Sequence, residues 1–262
     1  MKVKYIDHMG SDLSVVNAAR VSHDKRSDWE FVMPANPLRN QYPIKRLKKS
    51  DSQLINFLAR GCTSGEWDKL LDEFMDTEFY DDLELLVGYI RQMPTHWTPF
   101  GHTSISVHIE APIFVARQLG KHQAGFVWNE VSRRYVDDPP RFFVPKTFRK
   151  KAKNVKQGSG DPVSSTRQSL AAQHLEDAHH AALFSYNKML EMGVCAEQAR
   201  MVLPQSMYTQ WYWTGNLYGF AQMFKTRTFG NVQQETKDVA NVIGDIIRPL
   251  YPVSWQALTG EM

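Results

Sequence analysis

The chain has little cysteine. Cys62 and Cys195 are its only thiols, too few for a disulfide framework or a cysteine-based zinc pattern, so a reduced, cytoplasmic compartment is the default. It has no apolar run approaching the ~20 residues that span a bilayer, which argues against a membrane protein. Met1–Ile6 lacks the apolar stretch of a secretory signal. The charge imbalance is small: a net charge of +3 on 262 residues gives no electrostatic footprint for nucleic acid. No internal repeat and no marked boundary divides the chain, which reads as a single domain over 1–262. What it does have is 42% hydrophobic and 12% aromatic residues, enough for a substantial core.

Periodicity gives a coarse map. Lys2–Ile6 reads as a short edge strand and Ser14–Arg20 as a helix capped by Ser14 or Asp12. Residues 23–50, with Pro34, Pro37 and Pro43 and the basic run Lys45–Lys49, read as a solvated loop. Ser52–Arg60 reads as a helix ending at Gly61. The carboxylates Asp68, Asp72, Glu73, Asp76, Glu78 and Asp82 belong to the solvated face of amphipathic helices. Asp82–Met93 reads as helix up to Pro94. Thr103–Glu110 alternates, with Ile105, Val107 and Ile109 on one side, as a half-buried strand does. Lys146–Asp161, with Arg149, Lys150, Lys151, Lys153 and Lys156, reads as a loop. Ser164–Met192 is a long helix closed by Gly193. Glu197–Leu203 is a helix meeting Pro204, and Gln205–Arg227 is expected as a very aromatic second one. Val239–Tyr251 forms a last helix, followed by a tail from Pro252 to Trp255.

Two metal readings fail on spacing. His96, His102 and His108 are six apart, which matches neither a helix face nor a zinc finger. Glu176-x-x-His179 has the spacing of a di-iron helix, but the second such motif and its partner glutamates are missing. No metal is expected.

The chemistry concentrates in residues 112–135. Pro112 suits a helix start, and Gln118, Lys121 and His122 then share one helical face. A polar run follows: Asn129, Glu130, Ser132, Arg133 and Arg134. So many donors beside one carboxylate suit an anionic, hydrogen-bonding ligand; a solvated helix end with a charged loop is the plainer alternative.

This stretch resembles the signature of the flavin-dependent thymidylate synthases, an Arg-Gln…Asn-Glu-x-Ser-x-Arg-Tyr frame around an Arg-His-Arg triplet. The frame stands here as Arg117-Gln118, Asn129-Glu130, Ser132 and Arg134-Tyr135. The triplet reads Lys121-His122-Gln123, and eight residues instead of seven separate Gln123 from Ser132. Further segments are similar to the family in the same order: Ala19–Ser22, the His96–His102 stretch, Glu197-x-x-Arg200-x-x-Leu203-Pro204, Tyr208-Thr209, Asn216, Arg227 and Gln234-Glu235. Tyr218 stands where Arg is common, and about 25–80 resembles an insertion.

The resemblance implies an α+β fold, an antiparallel sheet with a long-helix layer. It implies methylation of dUMP at C5 to dTMP, with methylenetetrahydrofolate as carbon donor, FADH2 as reductant and NADPH reloading the flavin. Carried over by position, Thr98, Lys121, His122, Gln123, Glu130, Asn216 and Gln222 would contact FAD. Gln118, Lys121, Ser132, Arg133, Arg134 and Arg200 would hold dUMP, and Arg227 would face the uracil as the catalytic cation. The family's sites are shared between subunits of a homotetramer. Lys121 lacks the bidentate fork of Arg and Gln123 lacks a charge, which leaves open a catalytically degenerate nucleotide-binding homologue. A cysteine-dependent thymidylate synthase would need a nucleophile in a Pro-Cys-His setting, which neither thiol has. A single-strand nucleic-acid binder would need aromatics beside its Lys runs, and the aromatics lie elsewhere in the sequence.

Overall fold

A computed structural model describes residues 1–34, 42–76, 80–136, 138–153 and 158–261. Pro37, Glu78 and Lys156, named above, lie outside them. In chain order the elements are β1 (Lys2–Met9), α1 (Asp12–Arg20), β2 (Glu30–Val32), β3 (Ile44–Arg46), α2 (Lys49–Arg60), α3 (Ser64–Asp76), α4 (Tyr80–Gln92), α5 (Thr98–Gly101), β4 (Ser104–Pro112), α6 (Ile113–Leu119) and β5 (Phe126–Glu130). Then come β6 (Arg149–Lys151), β7 (Ser159–Pro162), α7 (Ser165–Glu191), α8 (Ala196–Ala199), β8 (Tyr208–Gly215), α9 (Leu217–Thr228), α10 (Gln234–Ile247) and α11 (Pro252–Thr259). The fold is the expected mixture of helices and antiparallel sheet. No helix among the described residues is long and apolar enough to cross a membrane.

The residues cluster into two compact units. The first comprises Met1–Ile6, Ser106–Thr214 and Met223–Ile243; the second comprises Asp7–Ile105, Gly215–Gln222 and Gly244–Met262.

The first unit is built on the sheet of order β1-β4-β8-β5. β1 lies at its edge, as expected, and β4 buries Ile105, Val107 and Ile109 completely. The aromatic stretch expected as one helix over 205–227 is instead strand β8 followed by helix α9. Thr209, Trp211, Trp213 and Gly215 point inward while Gln210 and Tyr212 are exposed. That period of two fits a pleated strand, and stiff aromatic side chains favour it. Of the polar run after α6 only Asn129 and Glu130 are strand, as the end of β5, and Ser132–Tyr135 form a turn; in β5 Trp128 stacks on Trp211 with centroids 4.5 Å apart and Phe126 on Trp213 at 4.6 Å. Such stacking holds the segment in strand geometry.

α7 is the expected long helix, released at Gly193, whose φ of +81° suits glycine. Its His179 is core: the ring stacks on Phe142 and shares a 2.8 Å hydrogen bond with the Ser206 hydroxyl. The expected basic loop contains the β6–β7 hairpin, because Arg149 donates to both carboxylate oxygens of Glu235 (2.7 and 2.9 Å) and to the Ser159 hydroxyl.

The second unit packs α1, α2, α5 and α11 together. α2 lies in the stretch that reads as an insertion, yet it buries Ile55, Leu58 and the carboxylate of Asp51. Asp51 accepts from the Arg20 guanidinium and from the Ser27 hydroxyl. α2 stops at Gly61, where φ is +77° and a Cβ would stand 2.1 Å from the Pro94 carbonyl oxygen, so no other residue fits. Asp12 does not cap its own helix. Ser11 is the N-cap of α1, and the buried Asp12 carboxylate accepts the backbone N–H groups of Val253 (3.0 Å) and Ser254 (2.8 Å). Two orphan donors at the start of α11 are satisfied in this way, and the expected tail from Pro252 becomes a helix. Residues 23–50 likewise hold the small β2–β3 ladder.

Candidate active site

In the first unit α6 enters from Pro112, whose extended conformation makes it the N-cap and not the first helical residue. The helix ends in a tight turn. His122 N–H donates to the Leu119 carbonyl, Phe126 N–H donates to the Gln123 carbonyl, and Gly125 takes a φ of +79°. The turn delivers Lys121, His122 and Gln123 to the rim of a cleft of about 550 Å³. Its far wall is Phe126, Trp128, Trp213 and Glu130. A cationic rim over stacked aromatic walls fits a flat aromatic ring that carries an anionic phosphate, as a flavin nucleotide does.

A second cleft of the same unit, about 430 Å³, is lined by Arg133, Arg141, Arg200, Glu110, Glu130 and Tyr208, among others. Arg141 pairs with Glu110 at 3.0 Å and lies over the Tyr208 ring at 5.3 Å. Burial pushes the Glu110 carboxyl up, but the hydrogen bond and charge of Arg141 outweigh it, so Glu110 ionises below its ordinary range. Glu130 lines both clefts, accepting from the Thr209 hydroxyl (2.6 Å) and the Trp128 indole N–H (3.2 Å).

Arg227, near the end of α9, donates through Nε–H to His122 Nε2 (3.0 Å) and through Nη2–H to the Gln118 carbonyl (2.6 Å). Burial first, then the Arg227 charge, hold the His122 imidazole below its ordinary pKa. The Gln118 side chain donates to Gln233.

The structure thus gathers Gln118, Lys121, His122, Gln123, Glu130 and Arg227 around one turn, with Arg133 and Arg200 on the neighbouring cleft. Four expected residues of this unit stand outside both linings: Gln118 and Arg227, which meet at the turn through their hydrogen bond, Ser132, whose Oγ accepts the Arg134 N–H, and Arg134, whose guanidinium is paired with Glu197. Three more belong to the second unit. Thr98 lines a cleft there of about 850 Å³ with Arg20, Ser22, His23, Lys25, Gln53 and His96. Asn216 Oδ1 accepts the Gly219 N–H, which caps α9, and Gln222 is half-buried on the same helix. Tyr218, in place of the usual Arg, packs against Trp97 with centroids 5.6 Å apart. Sequence reasoning missed Arg141, Glu110 and Gln233. Arg141 directly follows Pro139-Pro140, which reads as mere punctuation, and Gln233 is 115 positions from the side chain it meets. Neither thiol is placed for nucleophilic work: Cys62 is buried, its pKa raised by that burial, and Cys195 is the exposed N-cap of α8.

The sequence profile of the family described as "Thymidylate synthase complementing protein" matches residues 4–253. The chain is 35% identical over 255 residues to the flavin-dependent thymidylate synthase of Thermosipho africanus, covering 97% of this chain and 89% of that protein. It is 30% identical over 255 residues to the enzyme of that name from Thermus thermophilus, covering 97% and 74%. Among solved structures it is similar to the UMP/dUMP methylase PolB from Streptomyces cacaoi bound with 5-Br dUMP, with a TM-score of 0.71, 26% identity and 99% and 94% of the two chains covered.

Proposed function

This chain belongs to the flavin-dependent thymidylate synthase family, and on that premise we propose how its residues are used. It is an enzyme that methylates dUMP to dTMP with FAD as cofactor. FAD, when bound, supplies the reducing equivalents for the transferred carbon. Methylenetetrahydrofolate is the carbon donor and NADPH the source of electrons.

Lys121, His122 and Gln123 hold the flavin at the rim of the 550 Å³ cleft, with Trp128 and Glu130 on its far wall. By motif likeness Thr98, Asn216 and Gln222 are further flavin contacts of the shared sites. Arg133 and Arg200, joined by Arg141, hold the dUMP phosphate through charge-assisted bonds in the 430 Å³ cleft. Gln118, Ser132 and Arg134 complete the nucleotide set. Arg227 faces the uracil. Two of its five N–H donors are committed among the described residues, and the other three stabilise negative charge on the N3-ionised ring in a half-buried setting. One observation carries this reading: Glu130 is a wall of both clefts, so the flavin-sized and nucleotide-sized clefts of the first unit adjoin.

The enzyme works as one domain over 1–262, as a cytoplasmic homotetramer with shared sites. Its two free thiols suit a reducing compartment. Exposed Leu170 and Phe184 on α7 offer apolar surface for assembly. A second reading, favoured by the likeness to PolB, adds UMP as a substrate. The absorbance spectrum of the purified protein, repeated with dUMP and NADPH, tests the first reading. A flavin band that NADPH bleaches, with folate-dependent release of the dUMP C5 proton, is expected; a colourless protein that takes up no FAD overturns it. Parallel assays with UMP decide the second.

A further inference from the structure

Arg227 and His122 are 105 positions apart, yet the imidazole is one of only two groups among the described residues that hold the guanidinium. The geometry fixes the chemistry of that ring. Arg227 Nε–H is a donor in every state of the protein, because a guanidinium does not lose its proton at physiological pH. His122 Nε2 lies 3.0 Å from it and must therefore present a lone pair. The ring proton then resides on Nδ1, and the ring is neutral. A protonated His122 would set an N–H against an N–H and a cation against a cation.

We propose that His122 is the positioning residue that holds Arg227 ready for the substrate, and that it does so only as the neutral Nδ1–H tautomer. The inference rests on the placement of Arg227 at the uracil proposed above. His122 acts through Arg227: it holds the Nε edge, the Gln118 carbonyl holds one Nη2 proton, and the remaining donors of the fork are left oriented outward. Without the imidazole the guanidinium keeps one fixed bond and is free to swing about it. A displacement of about 1 Å in such a group costs roughly a hundredfold in rate.

The charged groups around the ring support the same state. Arg227 faces it from α9, Arg117 and Lys121 come from α6 and its end, and Glu130 stands on β5 across the cleft. Of these charges it is that of Arg227, in direct contact with the ring, that disfavours protonation of His122, while the Glu130 carboxylate is engaged by Thr209 and Trp128. Burial acts in the same direction. The brace therefore persists through neutral pH and fails in acid, where turnover falls.

The test uses the FAD-loaded enzyme with His122→Gln, His122→Ala, Arg227→Ala and the double alanine variant, measuring kcat and KM for dUMP against pH. Gln places an amide oxygen near the position of Nε2 and does not titrate. Measured at saturating FAD, because His122 also holds the flavin, His122→Gln should turn over faster than His122→Ala and lack the acid limb of the kcat profile. His122→Ala should lose roughly a hundredfold in kcat with little change in KM, and nothing further on adding it to Arg227→Ala. Independent, additive losses, or an acid limb that survives in His122→Gln, overturn the proposal. A second measurement needs no turnover: ¹⁵N spectra of the imidazoles should show His122 as the Nδ1–H tautomer in the parent, and Arg227→Ala should release that preference. An Nε2–H tautomer in the parent overturns the proposal whatever the activity. A parent that makes no dTMP but shows the Nδ1–H tautomer would fault the functional reading and leave the brace standing.

Discussion

The two units handle positive charge in opposite ways. In the 430 Å³ cleft of the first, Arg133, Arg141 and Arg200 share the lining with Glu110 and Glu130, and Arg141 is held by an ion pair and an aromatic face. In the 850 Å³ cleft of the second, Arg20 and Lys25 share the lining with no carboxylate among the described residues. There the one tethered cation is Arg20, anchored by Asp51 of α2, which is itself fully buried. The first arrangement fixes directions, as orientation of a small planar ligand requires. The second gathers an unbalanced field, which attracts an anion without aligning it.

The largest effect should come from the most constrained cation. Arg227→Ala is expected to cost about 2.7–4 kcal/mol, or roughly a hundred- to thousandfold in turnover, comparable to losing one preorganised oxyanion donor. Flavin should stay bound, and Cys62→Ala and Cys195→Ala should keep most activity, because no thiol attacks the substrate. Release of the dUMP C5 proton in the three variants measures this; dead cysteine variants beside a fully active Arg227→Ala would reverse the assignment.

Arg141→Ala should follow, with a loss of about 1.5–3 kcal/mol, typical of a hydrogen bond to a charged group, seen as a raised KM for dUMP. The comparison sharpens if salt is varied. Binding in the paired cleft should weaken little with ionic strength, whereas anion binding that depends on Lys25 should be screened strongly.

Asp51→Asn probes stability. It leaves Arg20 and Ser27 without their acceptor carboxylate, and a loss of about 1–3 kcal/mol is expected as a lower Tm. An unchanged Tm would show that the second unit does not depend on its tether.

Smallest is the double change Lys121→Arg with Gln123→Arg. Added charge at the rim of the 550 Å³ cleft should leave FAD binding unchanged or tighter by up to about 1 kcal/mol. The extra cation beside His122 should also move the acid limb of the pH profile further down, since like charge disfavours protonation. A large loss of flavin would show that the longer turn has rebuilt the contact.

Strand β4 was readable from its alternation because one face is purely aliphatic and the other polar. β8 has the same period but carries Trp on one face and Tyr on the other, so its aromatic residues run together and resemble a helix. β5 is only five residues long, and its Phe126 and Trp128 stack on rings supplied by β8, a contact that no local window contains. α11 needs a carboxylate from Asp12, more than two hundred residues away. The site shows the same limit. The residues at the turn 118–123 and Arg227 were named from motif likeness, but the bond joining His122 to Arg227 and the role of Arg141 arise only when the chain closes on itself.

The stacked indoles have an optical consequence. Trp128 and Trp213 line the 550 Å³ cleft, and Trp128 lies against Trp211. Indole emission overlaps the near-ultraviolet and blue absorption of an oxidised flavin, so a flavin seated in that cleft would drain the excited state of these rings by energy transfer. The wall that shapes the cleft is therefore also a gauge of its occupancy, readable as a loss of tryptophan fluorescence and needing no label.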